Sequence, residues 1–421
     1  MTRDTYFFTV SPTAIFLGIG LISLNLTKML GTMAAVVFLG CCLALICMKP
    51  KRILSDARTA IWLWLLVLWC IVSFLWSGAP SLMLRYGIQL GLTFMLAISA
   101  AMRISMTSLL KVLLVTGLIT GILCLGLNRT NAAGAWAGIF GSKNALAQFA
   151  TINVLIGFAL LLDAKASGVW RIVAVIVLGL GALLLVNADS VGALVATGTA
   201  CVMMLIIAIL HFSRPLLRML LMSLAGLILL AAVFAIASNF EAFSLTILDL
   251  TGKDVTLTGR TVLWGIAFDE IAKYPLWGQG YKGYWVPGNP MAEELWLEFG
   301  IASKEGFHFH NTLISNAVEI GLIGVALQSG LFYFAFFVIV RASVLYPSAE
   351  TLFLAGFMVR QFALMQSEVV FFSHFHVVSL LTVMTIVYAI RIFRTDDLSI
   401  EADSFSAPLD LGQFTTDRKV A

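Results

Sequence analysis

The chain has 421 residues, of which 60% are hydrophobic and only 11% charged, with 26 Lys and Arg against 22 Asp and Glu for a formal net charge of +4. Soluble domains carry about 25% charged residues, so this balance excludes an ordinary water-soluble globule. Together with a mean hydropathy of +0.99 it predicts an all-α, polytopic membrane protein, and nothing in it points to nucleic acid.

In chain order, Arg3 and Asp4 precede an apolar run that begins near Pro12. No small-residue cleavage site followed by soluble sequence is seen, so the expectation is a retained first span rather than a signal peptide. At about 20 apolar residues per span, twelve spans are predicted, at 12–27, 29–48, 59–77, 81–102, 108–126, 144–162, 169–187, 190–210, 215–237, 317–340, 350–367 and 374–393. The first two crowd around Lys28, which leaves ten or eleven open. The organisation expected is a transmembrane bundle over 1–237, a long loop over 238–316, C-terminal spans over 317–394, and a polar tail over 395–421 whose composition predicts disorder. The six cysteines lie in apolar stretches without metal-ligand spacing and read as small buried hydrophobes.

Charge placement orients the bundle. If the N-terminus is cytoplasmic, the same side collects Arg3, Lys49, Lys51, Arg52, Arg58, Arg103, Lys111, Lys165, Arg171, Arg214, Arg218, Arg341, Arg391, Arg394, Arg418 and Lys419. Short loops rich in Lys and Arg stay inside, so both termini are expected in the cytoplasm of a bacterial cell, with the protein in the inner membrane. The long loop then faces the periplasm. It holds Trp264, Trp277, Trp285 and Trp296, several glycines, and helix-compatible stretches at 261–273 and 291–299. A loop this long is usually functional, and a small, partly helical cap is expected.

The loop and its flanks carry the motifs. Gly259-Arg260-x-x-x-Trp264 is followed by Pro275-Leu276-Trp277-Gly278-Gln279-Gly280, then His308-Phe309-His310-Asn311, then Glu319-x-Gly321-x-x-Gly324. Upstream stands Gly138-Ile139-Phe140-Gly141-Ser142-Lys143-Asn144. In this order and spacing the motifs resemble the O-antigen ligase-related family, which includes O-antigen ligases, O-antigen polymerases and exopolysaccharide polymerases, over roughly residues 138–324. The resemblance implies a membrane glycosyltransferase, inverting and metal-independent, with no cofactor. Its donor would be an undecaprenyl-diphosphate-linked glycan, its acceptor another glycan or the lipid A–core, and a chain-length regulator could accompany it among the membrane lipids. The segment around Lys143 is similar to the exopolysaccharide-polymerase branch.

The residues support the same chemistry independently. Outside the cytoplasm there are no nucleotide sugars, so a sugar must arrive activated, and a lipid diphosphate supplies both leaving group and anchor. Diphosphate calls for cations, above all the bidentate fork of arginine. Arg260 on the loop and Lys143 at a helix N-terminus, where free N–H groups favour anions, are candidates, each with an ordinary ion pair or an interfacial lysine as the plainer reading. Arg85, about one turn below the surface, and Arg360, in mid-span, are costly charges expected to face a wet cavity or a partner; Glu319 or Glu368 could be that partner for Arg360. His310 is the candidate general base, because an imidazole can take the proton of an attacking hydroxyl, with Asn311 supporting it. His308 and His310 could form half of a metal site, but no third ligand is evident in the sequence and none is assigned. On a continuous helix from 310, Glu319 would lie opposite His310 and is expected to bind a neighbouring span or an arginine. Family members often carry a cation after a serine near the outer end of a middle span; here the stretch is Asn187-Ala188-Asp189-Ser190-Val191-Gly192 and has none. A lipid-linked oligosaccharide flippase or other transporter, and a peptidoglycan glycosyltransferase that depends on a loop carboxylate, remain the alternatives.

Overall fold

The computed structural model describes residues 11–127, 129–130, 134–164, 166, 168–210, 214–238, 258–304 and 306–395. Arg3, Asp4, Lys165, the leading part of the long loop at 239–257 and the tail from 396, with its expected disorder, lie outside the described residues. The helices are α1 (Pro12–Asn25), α2 (Thr27–Leu30), α3 (Thr32–Met48), α4 (Pro50–Thr59), α5 (Ile61–Val72), α6 (Pro80–Ala101), α7 (Met106–Gly126) and α8 (Lys143–Leu162). They continue as α9 (Gly168–Asn187), α10 (Val191–Leu210), α11 (Pro215–Ser238), α12 (Thr258–Lys273), α13 (Pro290–Glu298), α14 (Thr312–Leu345), α15 (Ala349–Leu364) and α16 (Val377–Thr395). Among the described residues no β-strand forms beyond an isolated bridge between Thr130 and Trp136.

Every predicted span falls on a helix. Seven of the described helices are long and apolar enough to cross a membrane, or eight if α3 and α4 count as one broken span, bent by 102° at Lys49-Pro50. A proline at the first helical position restarts a helix but cannot continue the previous one. The restarted helix α4 is rich in Lys and Arg. The bundle is built around α8, α15 and α16, the most buried helices, while α9 and α10 turn Ile172, Val175, Val195 and Val202 outward. Such an apolar exterior is what a lipid solvent permits. Helices α8 and α9 approach through Gly157 and Gly181, where any added Cβ would strike the opposing backbone, the small-residue packing common in membranes.

The bundle has two chemically different ends. The N-termini of α8, α10, α14 and α16 meet at one, beneath α12 and α13. At the other, arginines donate to carbonyls in the last turns of helices: Arg103 to Leu45 at 2.6 Å, Arg391 to Ala101 at 2.6 Å, Arg171 to Asp163 at 2.9 Å and Arg218 to Leu210 at 3.0 Å. Guanidinium groups satisfy carbonyls that have no intrahelical donor and oppose the negative end of each helix dipole. Asp56 holds Arg103 at 3.2 Å, and Glu350 accepts from Thr107 at 2.7 Å.

The long loop folds into a cap with its own core. Leu263 and Ala267 of α12, Leu295 and Trp296 of α13, and Tyr284 and Phe309 pack together over Val318 of α14. The cap is then stitched into the bundle. Helix α14 breaks at Gly321, whose φ of +67° is left-handed. Into the break runs the segment 275–280. Gln279 N donates to Val318 O at 2.9 Å, Gly280 N to Glu319 O at 2.8 Å and the Trp69 indole to Ile320 O at 2.9 Å. In return Leu322 N donates to Pro275 O at 2.8 Å and Ile323 N to Leu276 O at 3.4 Å. Three carbonyls and two amides that a continuous helix would have bonded internally are thus satisfied by the cap and α5. Gly278 and Gly321 lie so close to the opposing backbone that a Cβ on either would collide with it.

Gly321→Ala is expected to destabilise the protein by at least ~2 kcal/mol, from the left-handed backbone alone and before the collision with Leu276. Gly330→Ala in the same helix, where an added Cβ meets nothing within 4 Å, is the control. Thermal unfolding of the detergent-solubilised protein, followed by size-exclusion, reads the difference. Equal midpoints for the two variants would contradict the stitched-break account.

Candidate functional site

The connection 365–376 between α15 and α16 is the hub of the cap-side end. Met365 O accepts from Thr312 N at 2.8 Å, and Glu368 O accepts from the Thr312 hydroxyl at 2.6 Å. The Glu368 side chain accepts from Asn144 Nδ2 at 3.1 Å and faces His308 Nε2 at 3.4 Å. A Cβ on Gly192 would touch Ser367 Oγ. Three helix N-termini, those of α8, α10 and α14, are therefore drawn to one short stretch of chain.

His310 lies at this point. Its φ of +52° is left-handed, a strain that needs a surrounding structure to hold it. Trp264 supplies part of the hold by donating its indole N–H to Phe309 O at 2.8 Å, and His308 Nδ1 accepts the His310 backbone N–H at 3.0 Å. The two imidazoles stand 4.4 Å apart. Because His308 Nδ1 is an acceptor, its proton belongs on Nε2, toward Glu368. The Nδ1 of His310 is buried with no hydrogen-bond partner among the described residues, which in a native site calls for an explanation.

Charge shapes this cluster. Burial first, then the charges of His308 and Arg260, push the His310 ring down to about 4, against smaller raising effects from Glu368 and the Ser367 backbone. His310 is therefore neutral, an acceptor, through the whole neutral range. Burial would raise Glu368, but its hydrogen bond with His308 and the charges of His308, His310 and Arg260 outweigh that and hold the carboxyl below its ordinary value.

The structure thus brings together His310, Arg260 and, one residue from Asn144, Lys143. The Lys143 ammonium sits 3.2 Å from Asp189 O and 3.8 Å from its carboxylate, so a lysine of α8 stands beside the stretch 187–192, which itself carries no cation. Asn311 caps α14, its Oδ1 accepting from Leu313 N at 3.0 Å and Ile314 N at 3.1 Å.

Three other expected site residues are elsewhere. Arg360 is fully buried and donates to Thr151 at 3.0 Å, to Gln148 O at 3.3 Å and to Gln361; it makes no ion pair with Glu319 or Glu368. Its partners are neutral oxygens of α8 and its own helix, which sequence spacing could not show. Glu319 binds a lysine of the cap rather than an arginine or a neighbouring span, since its Oε2 accepts Lys282 N at 3.3 Å and faces Lys282 Nζ at 3.5 Å. Arg85 lies over the Tyr86 ring at 5.0 Å, and Tyr86 stacks on His374 at 4.5 Å. Tyr281, beside Lys282, accepts from His374 N at 3.1 Å. Arg85, Tyr86, His374, Tyr281, Lys282 and Glu319 therefore form a second polar group. Burial first, then Lys282, Arg85 and His376, lower the His374 ring to about 3.

Sequence reasoning weighed Glu368 only as a partner for Arg360 and did not assign a role to Asn144, Lys282, His374 or His376. One signal was available: all five histidines except His211 fall in the cap or in the last connection. The span expected from 374 absorbed His374 and His376, whereas α16 begins at Val377. Glu368 also supplies a third group beside the two histidines, with ligand atoms of His308, His310 and Glu368 within 4.8 Å of one another.

A family profile described as O-antigen ligase matches residues 174–328. The exopolysaccharide production protein ExoQ of Rhizobium meliloti (strain 1021) is 32% identical over 317 residues, covering 73% of this chain and 71% of that protein. The chain belongs to the O-antigen ligase-related family. As a member of it, the protein is a multi-pass membrane enzyme of glycan assembly that works on lipid-linked glycans. The family profile covers α9 to the first part of α14, and so includes Arg260, the cap motifs, His310 and the Gly321 break. It leaves out Lys143, Asn144 and Glu368, which only the fold delivers to the same place.

Glu368→Gln is expected to reduce turnover on the order of tenfold, less than the 100-fold or more typical for losing a general base, by loosening His308. It should also lower the His310 pKa further, because the Glu368 charge raises it. Activity with the variant's membranes and NMR titration of labelled histidine check both effects.

Proposed function

We propose that the protein is an inverting, metal-independent glycosyltransferase that polymerises an exopolysaccharide from an undecaprenyl-diphosphate-linked donor at the periplasmic face of the inner membrane. The observation that carries this reading is the unpartnered, neutral Nδ1 of His310, set where Arg260, Lys143 and three helix N-termini meet. The diphosphate would lie among those cations and amides. His310 takes the proton of the acceptor hydroxyl as its oxygen attacks the anomeric carbon. The anomeric carbon–oxygen bond breaks on the opposite face, and its electron pair leaves with the polyprenyl diphosphate. Phosphate is a good leaving group and needs no proton from a second acid.

The orientation is supported by the arginines gathered at the end remote from the cap. The name of the Rhizobium relative favours a growing glycan as acceptor over a lipid A–core, which would make the enzyme a ligase. The same site would serve either acceptor. A flippase would need ionisable groups near mid-membrane, whereas Arg360, the charge buried within α15, is tied to neutral partners.

In a deletion strain, His310→Ala and Arg260→Ala are expected to insert normally while long glycan disappears and lipid-linked units accumulate. Size-resolved surface and secreted polysaccharide, with lipid A–core analysed in parallel, names the missing product. Full product from His310→Ala would sink the mechanism.

The acidic limb of kcat/KM, which reports the free enzyme, is expected near pH 4 rather than 6.5, because a lowered pKa keeps the base neutral to lower pH. The limb of kcat should lie higher, since bound diphosphate raises the proton affinity of the ring. Coincident limbs at about pH 6.5 would count against His310 as the base.

A further inference from the structure

A second site-like feature lies on the cap, away from His310. A cleft of about 750 Å³ opens between the cap and the start of α6, walled by Trp76, Tyr274 and Trp277 and edged by Gln279 and Asn289. No residue lining it carries a charge. Tyr274 is 52% and Trp277 51% exposed, whereas Tyr284, Trp296 and Phe309 of the cap are buried.

The exposed rings are not loosely held. Trp277 stacks on Trp69 at 5.3 Å and meets Trp76 at 5.5 Å. Trp69 is anchored through its indole to Ile320 O, and the residues after Trp277 are bonded to Val318 and Glu319. The Trp76 indole N–H has no partner among the described residues. The Gln279 amide nitrogen donates to Glu270, so that side chain keeps its carbonyl oxygen to accept, while the Asn289 amide is held by Tyr284 O and Met291 N. A fixed aromatic platform with amide edges and no charge fits one ligand chemistry well. The C–H face of a sugar ring is slightly positive and lies on the negative face of an aromatic ring, while its hydroxyls meet amide groups at the edge. A diphosphate, by contrast, would find no cation there.

We propose that this cleft is a subsite for the uncharged sugars of the acceptor glycan, separate from the place where the diphosphate is held; this rests on the transferase reading above. Its rim joins α14 at Val318, six residues and so on the order of 9 Å along the helix from Thr312, the helix end that follows His310. A glycan lying on Trp277 and Tyr274 would therefore point its end toward the base, and the cleft would set how far the growing chain is retained between additions.

The test uses full-length protein in nanodiscs, titrated calorimetrically with two probes. One is oligosaccharides made by partial acid hydrolysis of the parent strain's surface polysaccharide; the other is inorganic diphosphate. The variants are Trp277→Ala, Tyr274→Ala and Gly78→Leu. Gly78 lines the cleft, and a Cβ there meets nothing within 4 Å, so Gly78→Leu fills the cleft without removing any packing. Oligosaccharide affinity is expected to fall about tenfold or more, roughly 1.4 kcal/mol, with diphosphate affinity unchanged and shorter polysaccharide made in cells. Unchanged oligosaccharide binding in both Tyr274→Ala and Gly78→Leu overturns the proposal, as does a parallel loss of diphosphate binding. Competition by phospholipid alone, with no effect of the oligosaccharides, also overturns it and assigns the cleft to lipid. Product from His310→Ala would defeat the transferase reading while leaving the binding result to stand or fall by itself.

Discussion

The break in α14 at Gly321 is the constraint on which the rest of the cap-side end depends. A transmembrane helix cannot leave backbone groups unbonded in an apolar surround, so a break is tolerable only where other chain segments supply every missing partner. Here Gln279, Gly280, Trp69, Pro275 and Leu276 do so. The exchange fixes the cap to the bundle by main-chain bonds, which are insensitive to side-chain identity, and demands glycine at 278 and 321, where a side chain would collide. Through it the cap core, including Phe309, is held at a defined height above the membrane-spanning part, and with it His310.

Electrostatics follow the same asymmetry. The bundle places the N-termini of four helices beneath the cap and neutralises carbonyl ends at the opposite face with Arg103, Arg171, Arg218 and Arg391. On the proposed reading a lipid-linked anion at the cap side would meet Lys143, Arg260 and the N-termini of α8 and α10, while the first amides of α14 are already taken by Met365 O and Asn311. None of these cations is costly to keep there, because each stands near water or a carboxylate. Arg360, fully buried in the cap-side half of α15, is accommodated differently, by a set of neutral oxygens on α8 and α15.

The histidine cluster shows how burial and charge act on one group. Glu368 and His308 form a chain of contacts that ends on the backbone of His310, not on its ring. The ring is thereby positioned without being occupied. Its depressed pKa keeps it unprotonated, and on the proposed mechanism the negative charge of a bound diphosphate would strengthen it as a base.

The sequence by itself determined the medium and the helices, and it gave an expected direction for the bundle. Those follow from hydropathy over some 20 residues and from the placement of Lys and Arg, both local properties. The order of the motifs also marked Arg260 and His310, which the structure brings together. What the sequence left undecided were the partners across distance. Asn144 and Glu368 are 224 positions apart, Trp69 and Ile320 are 251 apart, and no periodicity links them. Glu319 and Arg360 read as natural ion-pair candidates because both are charges in apolar surroundings, yet each found a nearer partner once the helices packed. The physical reason is that a buried charge is satisfied by whatever oxygen or nitrogen the tertiary fold sets within 3 to 4 Å of it, and only packing decides which atom that is.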